Sequence, residues 1–246
     1  MDGKYHLSCG DCLEIMQQMP DGSVDMVLCD LPYGNTRNAW DVKLNFEALW
    51  RQYKRVVKTN GAIILFGSGR FTSELMQSNM RDWRYNLVWE KTTPTGFLNA
   101  KRMPLRSHED ILVFYRKPPV YNPIMSDGKR KVATAQHKRN CRGGSSYGKY
   151  TPSNYDSDKR YPRSVLHFAT DKQKCALHPT QKPVALLEYL IRLYSDEDDL
   201  ILDNCMGSGS TGIACLRCGR RFVGIEIDPA IFDTAEKRIC QEAYHE

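Results

Sequence analysis

Apolar residues alternate along this chain between short unbroken runs and longer stretches with helical spacing. Residues 24–29 and 62–66 are almost wholly apolar, as buried strands of a parallel sheet are. Residues 46–57 carry apolar side chains three or four positions apart, which predicts an amphipathic helix that is capped by Asn60-Gly61. In full, the pattern predicts strands at 5–8, 24–29, 62–66, 85–89, 111–115, 200–202 and 222–227, and helices at 12–19, 46–57, 71–80, 183–194, 209–218 and 231–243. Alternating strands and helices predict an α/β fold with a largely parallel sheet.

One segment breaks this alternation. Residues 117–176 are rich in Pro, Gly, Ser, Lys, Arg and Tyr, and they show little periodicity. Between positions 116 and 178 the chain has 14 Lys or Arg against 4 Asp or Glu, a net charge of +10, whereas the whole chain carries +6. The excess positive charge therefore lies in this segment, which indicates a local contact with a polyanion. We expect one α/β domain formed by 1–116 and 177–246, with 117–176 inserted between its halves.

Composition limits the class of protein. Apolar residues make up 41% of the chain, which is enough for a sizeable core. The chain contains no run of 18 apolar residues, so no membrane span is expected. The first residues lack the apolar stretch of a signal peptide, so a cytoplasmic protein with reduced cysteines is expected. Two Cys-x-x-Cys pairs, Cys9/Cys12 and Cys215/Cys218, have the spacing of zinc half-sites. The first lies at a strand end and the second in a predicted helix, and packing is the ordinary role of such cysteines, so no metal is expected.

A glycine-rich loop follows the sixth predicted strand. Gly207, Gly209 and Gly212 precede or open a helix, and they allow a tight turn and a close approach of a ligand to the backbone. Nineteen residues after Gly207, Glu226 ends the next strand, where a carboxylate can accept both hydroxyls of a ribose. This pattern fits a cofactor that contains adenosine. Alone, it also fits a nicotinamide or flavin enzyme or a plain strand–helix turn, but not a P-loop, because no Gly-Lys-Ser/Thr follows.

A second candidate, Asp30-Leu31-Pro32-Tyr33, directly follows the strand 24–29, at the edge where α/β sheets place ligands. Its residue types suit a reaction at the exocyclic amine of a nucleobase, which is a poor nucleophile because its lone pair is delocalised into the ring. Asp30 and the backbone carbonyl of Pro32 would accept the amine hydrogens, localise that lone pair and dispose of a proton. Tyr33 would stack on a base flipped out of the duplex. By itself the tetrapeptide fits a simple strand-ending turn equally well.

Five segments together resemble the amino-methyltransferases of DNA. They are Gly10-Asp11-Cys12; Asp30-Leu31-Pro32-Tyr33, against the family signature Asp-Pro-Pro-Tyr; His108-Glu109; His178-Pro179-Thr180-Gln181-Lys182-Pro183; and Asp203 to Thr211, against Asp-Pro-Phe-x-Gly-Ser-Gly-Thr. The catalytic signature comes first, then a variable region, then the cofactor loop, and this permuted order is typical of the β class. The resemblance covers roughly 1–116 and 177–243.

The resemblance implies a fold and a set of site residues. The fold is that of S-adenosylmethionine-dependent methyltransferases, a seven-stranded, mostly parallel sheet with one reversed strand, flanked by helices and interrupted by a DNA-recognition region. The implied catalytic residues are Asp30, Pro32 and Tyr33. The implied residues that bind S-adenosylmethionine are Asp11, which contacts its adenine, with Asp30, Thr180, Lys182, Asp203, Gly207, Ser208, Gly209 and Glu226.

Two departures from the family pattern carry expectations. Leu31 replaces the first Pro of the catalytic signature and should be tolerated, because that side chain neither donates nor accepts. Asn204-Cys205 replace Pro-Phe in the cofactor loop, which removes an aromatic contact and should lower the affinity for the cofactor.

The basic segment is expected to bind DNA. Its cations are interleaved with tyrosines, a mixture that suits phosphate neutralisation and base stacking, whereas a solvated loop is the alternative. The residues predicted to contact DNA are Lys129, Arg130, Lys131, Arg139, Arg142 and Arg160.

The resemblance implies a site-specific methyltransferase that acts on duplex DNA. Within the family, Asp at the first signature position goes mainly with N6 of adenine and Ser mainly with N4 of cytosine, so Asp30 favours adenine. N4 of cytosine, RNA or a protein amide as the substrate, and a catalytically silent DNA-binding homologue stay as alternatives. A homodimer and a cognate restriction nuclease stay open as partners.

Overall fold

The computed structural model describes residues 3–34, 44–135, 156–170 and 181–244. Its contacts divide the chain into two compact units. The first, called the sheet unit here, comprises Met1–Asn122 and Ser164–Glu246. The second, the hairpin unit, comprises Pro123–Arg163 and lies within the predicted insertion 117–176.

The described residues form ten strands and six α-helices. The strands are β1 (Tyr5–Cys9), β2 (Val24–Cys29), β3 (Val57–Gly67), β4 (Trp83–Thr95), β5 (Arg106–Phe114), β6 (Ser126–Val132), β7 (Asp156–Arg160), β8 (Val165–Phe168), β9 (Leu200–Asp203) and β10 (Arg221–Glu226). The helices are α1 (Cys12–Gln18), α2 (Phe46–Val56), α3 (Arg70–Ser78), α4 (Val184–Tyr194), α5 (Ser210–Arg217) and α6 (Pro229–Tyr244). A 3-10 turn at Phe97–Asn99 lies between β4 and β5.

The sheet unit is built on an eight-stranded sheet in the order β1-β10-β9-β2-β3-β5-β4-β8. Strand β5 runs antiparallel to both of its neighbours, and all other neighbouring pairs are parallel. The predicted α/β class with one reversed strand is confirmed. From the adjacent strands β2 and β9, the chain continues to opposite sides, to β3 and to β10. Their carboxyl ends therefore flank a crevice, the usual ligand site of an open α/β sheet.

Helices cover both faces of this sheet. Successive residues of β2 point to opposite faces, so Met26 and Leu28 are buried with α4 and α5, whereas Val27 is buried with α1, α2 and α3. Both layers are apolar at their centres. Side chains on both faces of β2 are therefore buried, and the strand is a nearly continuous apolar run in the sequence. The two layers hold the carboxyl ends of β2 and β9 in place from both sides.

The predicted C-terminal cap of the second helix is wrong. Helix α2 ends at Val56, and Asn60-Gly61 lies inside β3 rather than capping the helix. A Cβ atom at Gly61 would lie 2.6 Å from the carbonyl oxygen of Asp25. Glycine is therefore required for close contact with the neighbouring strand, where the pairing of β2 with β3 shifts register.

An eighth strand joins the predicted seven. Strand β8 pairs in parallel with β4, with Val165 opposite Val88. Its four residues lie inside the basic, irregular segment, where no periodicity marks them. None of the described helices is long and apolar enough to cross a membrane.

In the described part of the hairpin unit, β6 and β7 form an antiparallel pair of mostly exposed strands. Ion pairs across the pair join Arg130 to Asp156, at 2.5 Å, and Lys159 to Asp127. These contacts are exposed, so each stabilises the hairpin only weakly.

Candidate active site

The tetrapeptide predicted to be catalytic, Asp30-Leu31-Pro32-Tyr33, begins where β2 ends. Leu202 of β9 pairs with Val27, so a continuation of this register puts Asp30 level with the loop that follows β9. Leu31 is 2% exposed and packs in the apolar layer beneath α2. The departure from the family signature thus falls on a packing position, where an apolar Leu fits.

Both carboxylate oxygens of Asp30 have partners. The hydroxyl of Tyr33 donates to Oδ1 at 3.0 Å, and the ammonium of Lys182 donates to Oδ2. Burial raises the pKa of the Asp30 carboxyl above its ordinary value, although Lys182 opposes this shift. A raised pKa makes Asp30 a better proton acceptor, and the adjacent cation favours its ionised form.

Lys182 belongs to a buried network of four charges. Its ammonium lies 3.2 Å from Oε2 of Glu109, whose Oε1 accepts from Lys91. The ammonium also lies 4.9 Å from the ring centroid of Phe66. Two acids and two lysines alternate, so the network has no net charge, which is how buried charges are tolerated.

The pKa values of this network reflect that pairing. Burial by itself would raise the pKa of Glu109, but Lys182 and Lys91 outweigh it and lower the pKa. Burial by itself would lower the pKa of Lys182, but Asp30 and Glu109 outweigh it and raise the pKa. Pairing with opposite charges therefore favours the charged forms of both Glu109 and Lys182.

Tyr33 is fixed on two sides. Its ring stacks on Phe71 of α3, with centroids 4.4 Å apart, and its hydroxyl bonds to Asp30. Burial, reinforced by the charge on Asp30, raises the pKa of Tyr33 well above its ordinary value, so the phenol stays a donor. The stack with Phe71 and the bond to Asp30 together fix the orientation of the ring.

The predicted cofactor loop lies at the adjacent strand end. Gly207 and Gly209 adopt φ values of +52° and +81°, in the left-handed region that favours glycine. A Cβ atom at Gly207 would meet nothing within 4 Å, so the loop is open there. Glu226 is 7% exposed, and its Oε2 accepts from the Gly207 amide at 2.9 Å while its Oε1 accepts from the Asp228 amide. Both oxygens keep lone pairs for further donors.

Asp203 and two serines complete the loop. Asp203 accepts from the hydroxyl of Thr211 at 2.6 Å and from the amide of Cys205 at 3.1 Å, and burial raises its pKa to about 6. Arg238 of α6 donates to the carbonyl oxygen of Ser208. The buried hydroxyl of Ser210 has no hydrogen-bond partner among the described residues. An open glycine turn, a buried ribose-type acceptor and an unpartnered hydroxyl fit an adenosine-containing ligand.

Asn204, which departs from the family pattern in this loop, forms a polar contact with α2. Tyr53 donates to Oδ1 of Asn204 at 2.5 Å, and the amide nitrogen of Asn204 lies 3.5 Å from the sulfurs of Cys12 and Cys205. Burial raises the pKa of the Tyr53 phenol well above its ordinary value. Asn204 therefore anchors the loop to the helix layer, and the predicted loss of cofactor affinity stays a prediction.

Asp11 lies at the same edge, because Cys9 pairs with Glu226. Its carboxylate caps α1 by accepting from the amides of Leu13, at 2.7 Å, and Glu14. Its predicted contact with adenine would add to this capping role.

The predicted DNA-binding residues that the structure describes fall into two groups. Arg130 bonds to Asp156, and Arg160 donates to the carbonyl oxygens of Ser157 and Lys159, so both guanidinium groups already stabilise the hairpin. Lys129 and Lys131 are exposed on β6. Arg139 and Arg142 lie outside the described residues, and so does Thr180, which was predicted to bind the cofactor.

Sequence analysis missed two charged members of the site. Glu109 was matched only as part of a family segment, and Lys91 was not singled out. The available signal was an acid placed just before a buried strand, at the edge that also carries Asp30.

The model of the N6/N4 DNA methylase family matches residues 24–237. The chain is a member of this DNA methylase family. It is 27% identical to the type II methyltransferase M.HpaI of Haemophilus parainfluenzae, an alignment that covers 96% of this chain and 74% of the relative.

Two solved structures share the fold of this DNA methylase. The M1.HpyAVI–SAM complex has a TM-score of 0.65 and 26% identity, covering 96% of this chain and 98% of that one. The PvuII DNA methyltransferase, which is cytosine-N4-specific, has a TM-score of 0.66 at 14% identity, covering 99% and 92%. The second likeness shows the fold alone, so the fold does not decide between adenine and cytosine.

Proposed function

We propose that this DNA methylase transfers a methyl group to N6 of adenine at a specific site in duplex DNA. The observation that carries the proposal is Asp30, a half-buried carboxylate at the crevice that is paired with Lys182 and oriented by Tyr33. S-adenosylmethionine is the cofactor, and it supplies the methyl group.

Different residues of the site bind the target amine, accept its proton and hold the cofactor. Asp30 and the carbonyl oxygen of Pro32 accept the two hydrogens of the amine, which localises its lone pair for attack. Asp30 takes up the proton that the methylated amine releases, and burial of the carboxyl favours this step by raising its pKa. Glu226 and the backbone of Gly207 and Gly209 hold the cofactor beside β2.

Adenine is proposed over cytosine because the signature begins with Asp rather than Ser. The hairpin unit, with its exposed Lys129 and Lys131, is proposed to contact DNA. A cognate restriction nuclease and a homodimer stay predictions.

The experiment expresses the protein in a host that lacks DNA methylation and sequences the genomic DNA for modified bases. N6-methyladenine at one sequence would support the proposal. N4-methylcytosine would show that the target is cytosine and not adenine. Unmodified DNA would favour a catalytically silent homologue.

Asp30→Ala tests the mechanism. Removing the acceptor carboxylate should lower kcat by roughly 10²- to 10⁴-fold, whereas S-adenosylmethionine should still bind by calorimetry. The isosteric Asp30→Asn is the matched variant and should be similarly impaired, because it keeps the shape and loses the charge. Full activity in either variant would refute the role of Asp30.

A further inference from the structure

Large apolar side chains are exposed at the turn between β4 and β5. Phe97 is 77% exposed and Leu98 is 85% exposed, and Met103 and Leu105 are also exposed in the same turn. Exposed apolar groups concentrated at one site mark a contact surface more often than chance.

The turn is ordered by its own backbone. The amide of Asn99 donates to the carbonyl oxygen of Gly96 at 3.0 Å, and the amide of Met103 donates to that of Asn99 at 3.0 Å. Gly96 enters the turn at a φ of +90°. These bonds present Phe97 and Leu98 on a defined support, so little conformational entropy is lost when they bind.

The turn projects from the same sheet edge as Asp30. Lys91 of β4 and Glu109 of β5 belong to the charge network of Asp30 and Lys182. Beyond Glu90, β4 continues for five residues to Thr95, a reach of roughly 17 Å at about 3.3 Å per residue. Each groove of duplex DNA is roughly 8 Å deep. The turn is therefore long enough to cross a groove of a duplex that lies over this edge.

The charge of the turn points to the nature of its partner. Positions 91–108 contain no Asp or Glu, and Lys101, Arg102 and Arg106 are all exposed. Cations next to apolar side chains suit a partner with phosphates outside and stacked bases inside.

We propose that Phe97 and Leu98 form an apolar wedge that enters the duplex and fills the space left by the flipped target base. The inference rests on the proposed methylation of a base in duplex DNA, and it holds for adenine or cytosine. A flipped base loses its stacking and pairing, and an inserted apolar side chain offsets that loss by stacking on the neighbouring bases. Lys101, Arg102 and Arg106 bind the flanking phosphates.

The test uses the full chain and a duplex that carries its methylation site. Phe97→Ala/Leu98→Ala should lower kcat/KM on the paired duplex by roughly ten- to a hundredfold, since unstacking costs a few kcal/mol per step. On a duplex whose target base is mispaired, and therefore already loosened, most of that loss should disappear. Two controls accompany it: the swapped variant Phe97→Leu/Leu98→Phe, which keeps the apolar bulk, and Met80→Ala, an exposed apolar residue at the opposite end of β4. Both should retain activity.

Three results would contradict the wedge or the function on which it rests. An equal loss on paired and mispaired duplexes, or no loss on either, would overturn the wedge. A wild-type dimer that dissociates in the double variant, measured by analytical ultracentrifugation, would assign the turn to self-association instead. If wild-type protein methylates neither duplex, the proposed function fails rather than the wedge alone.

Discussion

At the scale of single residues, the site is controlled by how charges are paired in a poorly solvated place. Burial raises the pKa of Asp30, Lys182 lowers it, and Glu109 raises it again. Lys182 is in turn held between the two acids. Because removal of one member leaves an uncompensated buried charge, each of these residues influences Asp30 beyond its own contact.

This coupling predicts opposite pH shifts for two variants. Lys182→Met removes the cation that lowers the pKa of Asp30, so the acid limb of the kcat/KM–pH profile should move to higher pH. Glu109→Gln removes an anion that raises this pKa, so the limb should move to lower pH. Both shifts follow because only the ionised carboxylate accepts the amine hydrogens.

Pre-steady-state or steady-state rates across the acid range measure both shifts. Glu47→Gln, an exposed acid in the first turn of α2, serves as the control and should leave the profile unchanged. Shifts of the same sign in both variants would refute the opposite effects of Lys182 and Glu109 on the pKa of Asp30.

At the scale of elements, the cofactor loop is tied down from several sides. Tyr53 of α2 holds Asn204, and Arg238 of α6 holds Ser208. Behind the loop, α5 lies close to β10 because Gly212 has no side chain: a Cβ atom there would lie 2.8 Å from the ring of Phe222. The loop is therefore preorganised, and its position depends on helix packing.

Gly212→Ala tests that packing. Alanine would gain about 1 kcal/mol from helix propensity, but overpacking against Phe222 costs about 1–3 kcal/mol, so the balance should be destabilising. Thermal unfolding should show a lower Tm than in wild-type protein. Gly3→Ala, whose Cβ atom would lie 3.6 Å from its nearest neighbour, is the matched control. An unchanged or higher Tm for Gly212→Ala would mean that α5 moves away at no cost.

At the scale of the whole molecule, charge and chemistry lie in different units. The sheet unit holds the buried acids of the site, whereas exposed lysines of the hairpin unit carry part of the excess positive charge. Phosphate contacts position a protein on DNA without reading its sequence. The hairpin cations should thus contribute to affinity through counterion release.

Lys129→Ala/Lys131→Ala measures that contribution. If each lysine neutralises one phosphate, the slope of log K against log salt should become shallower by roughly 2 in total. Fluorescence anisotropy with duplex DNA at several salt concentrations gives the slope. Lys54→Ala/Lys237→Ala removes two exposed lysines of the sheet unit and should leave it unchanged. Equal effects of the two pairs would refute a specific role for the hairpin.

Much of the fold was predictable because its signals are local. All seven strands that were predicted from apolar runs are present in the structure. The same pattern placed Asp30 and Glu226 at strand ends. The errors came where long-range packing decides. Gly61 has the appearance of a helix cap but serves close strand contact, and Val165–Phe168 becomes a strand only because the edge of β4 accepts it.

By itself, the sequence determined the α/β class, the glycine turn at Gly207 and the turn at Asp30 that follows β2, because periodicity and turn chemistry act within a few residues. Only the tertiary structure decided that Lys182 pairs with both Asp30 and Glu109, that Lys91 pairs with Glu109, and that the Phe97–Leu98 turn projects from the same edge. These groups come from distant parts of the chain, and they meet only because the order and direction of the strands bring their ends together.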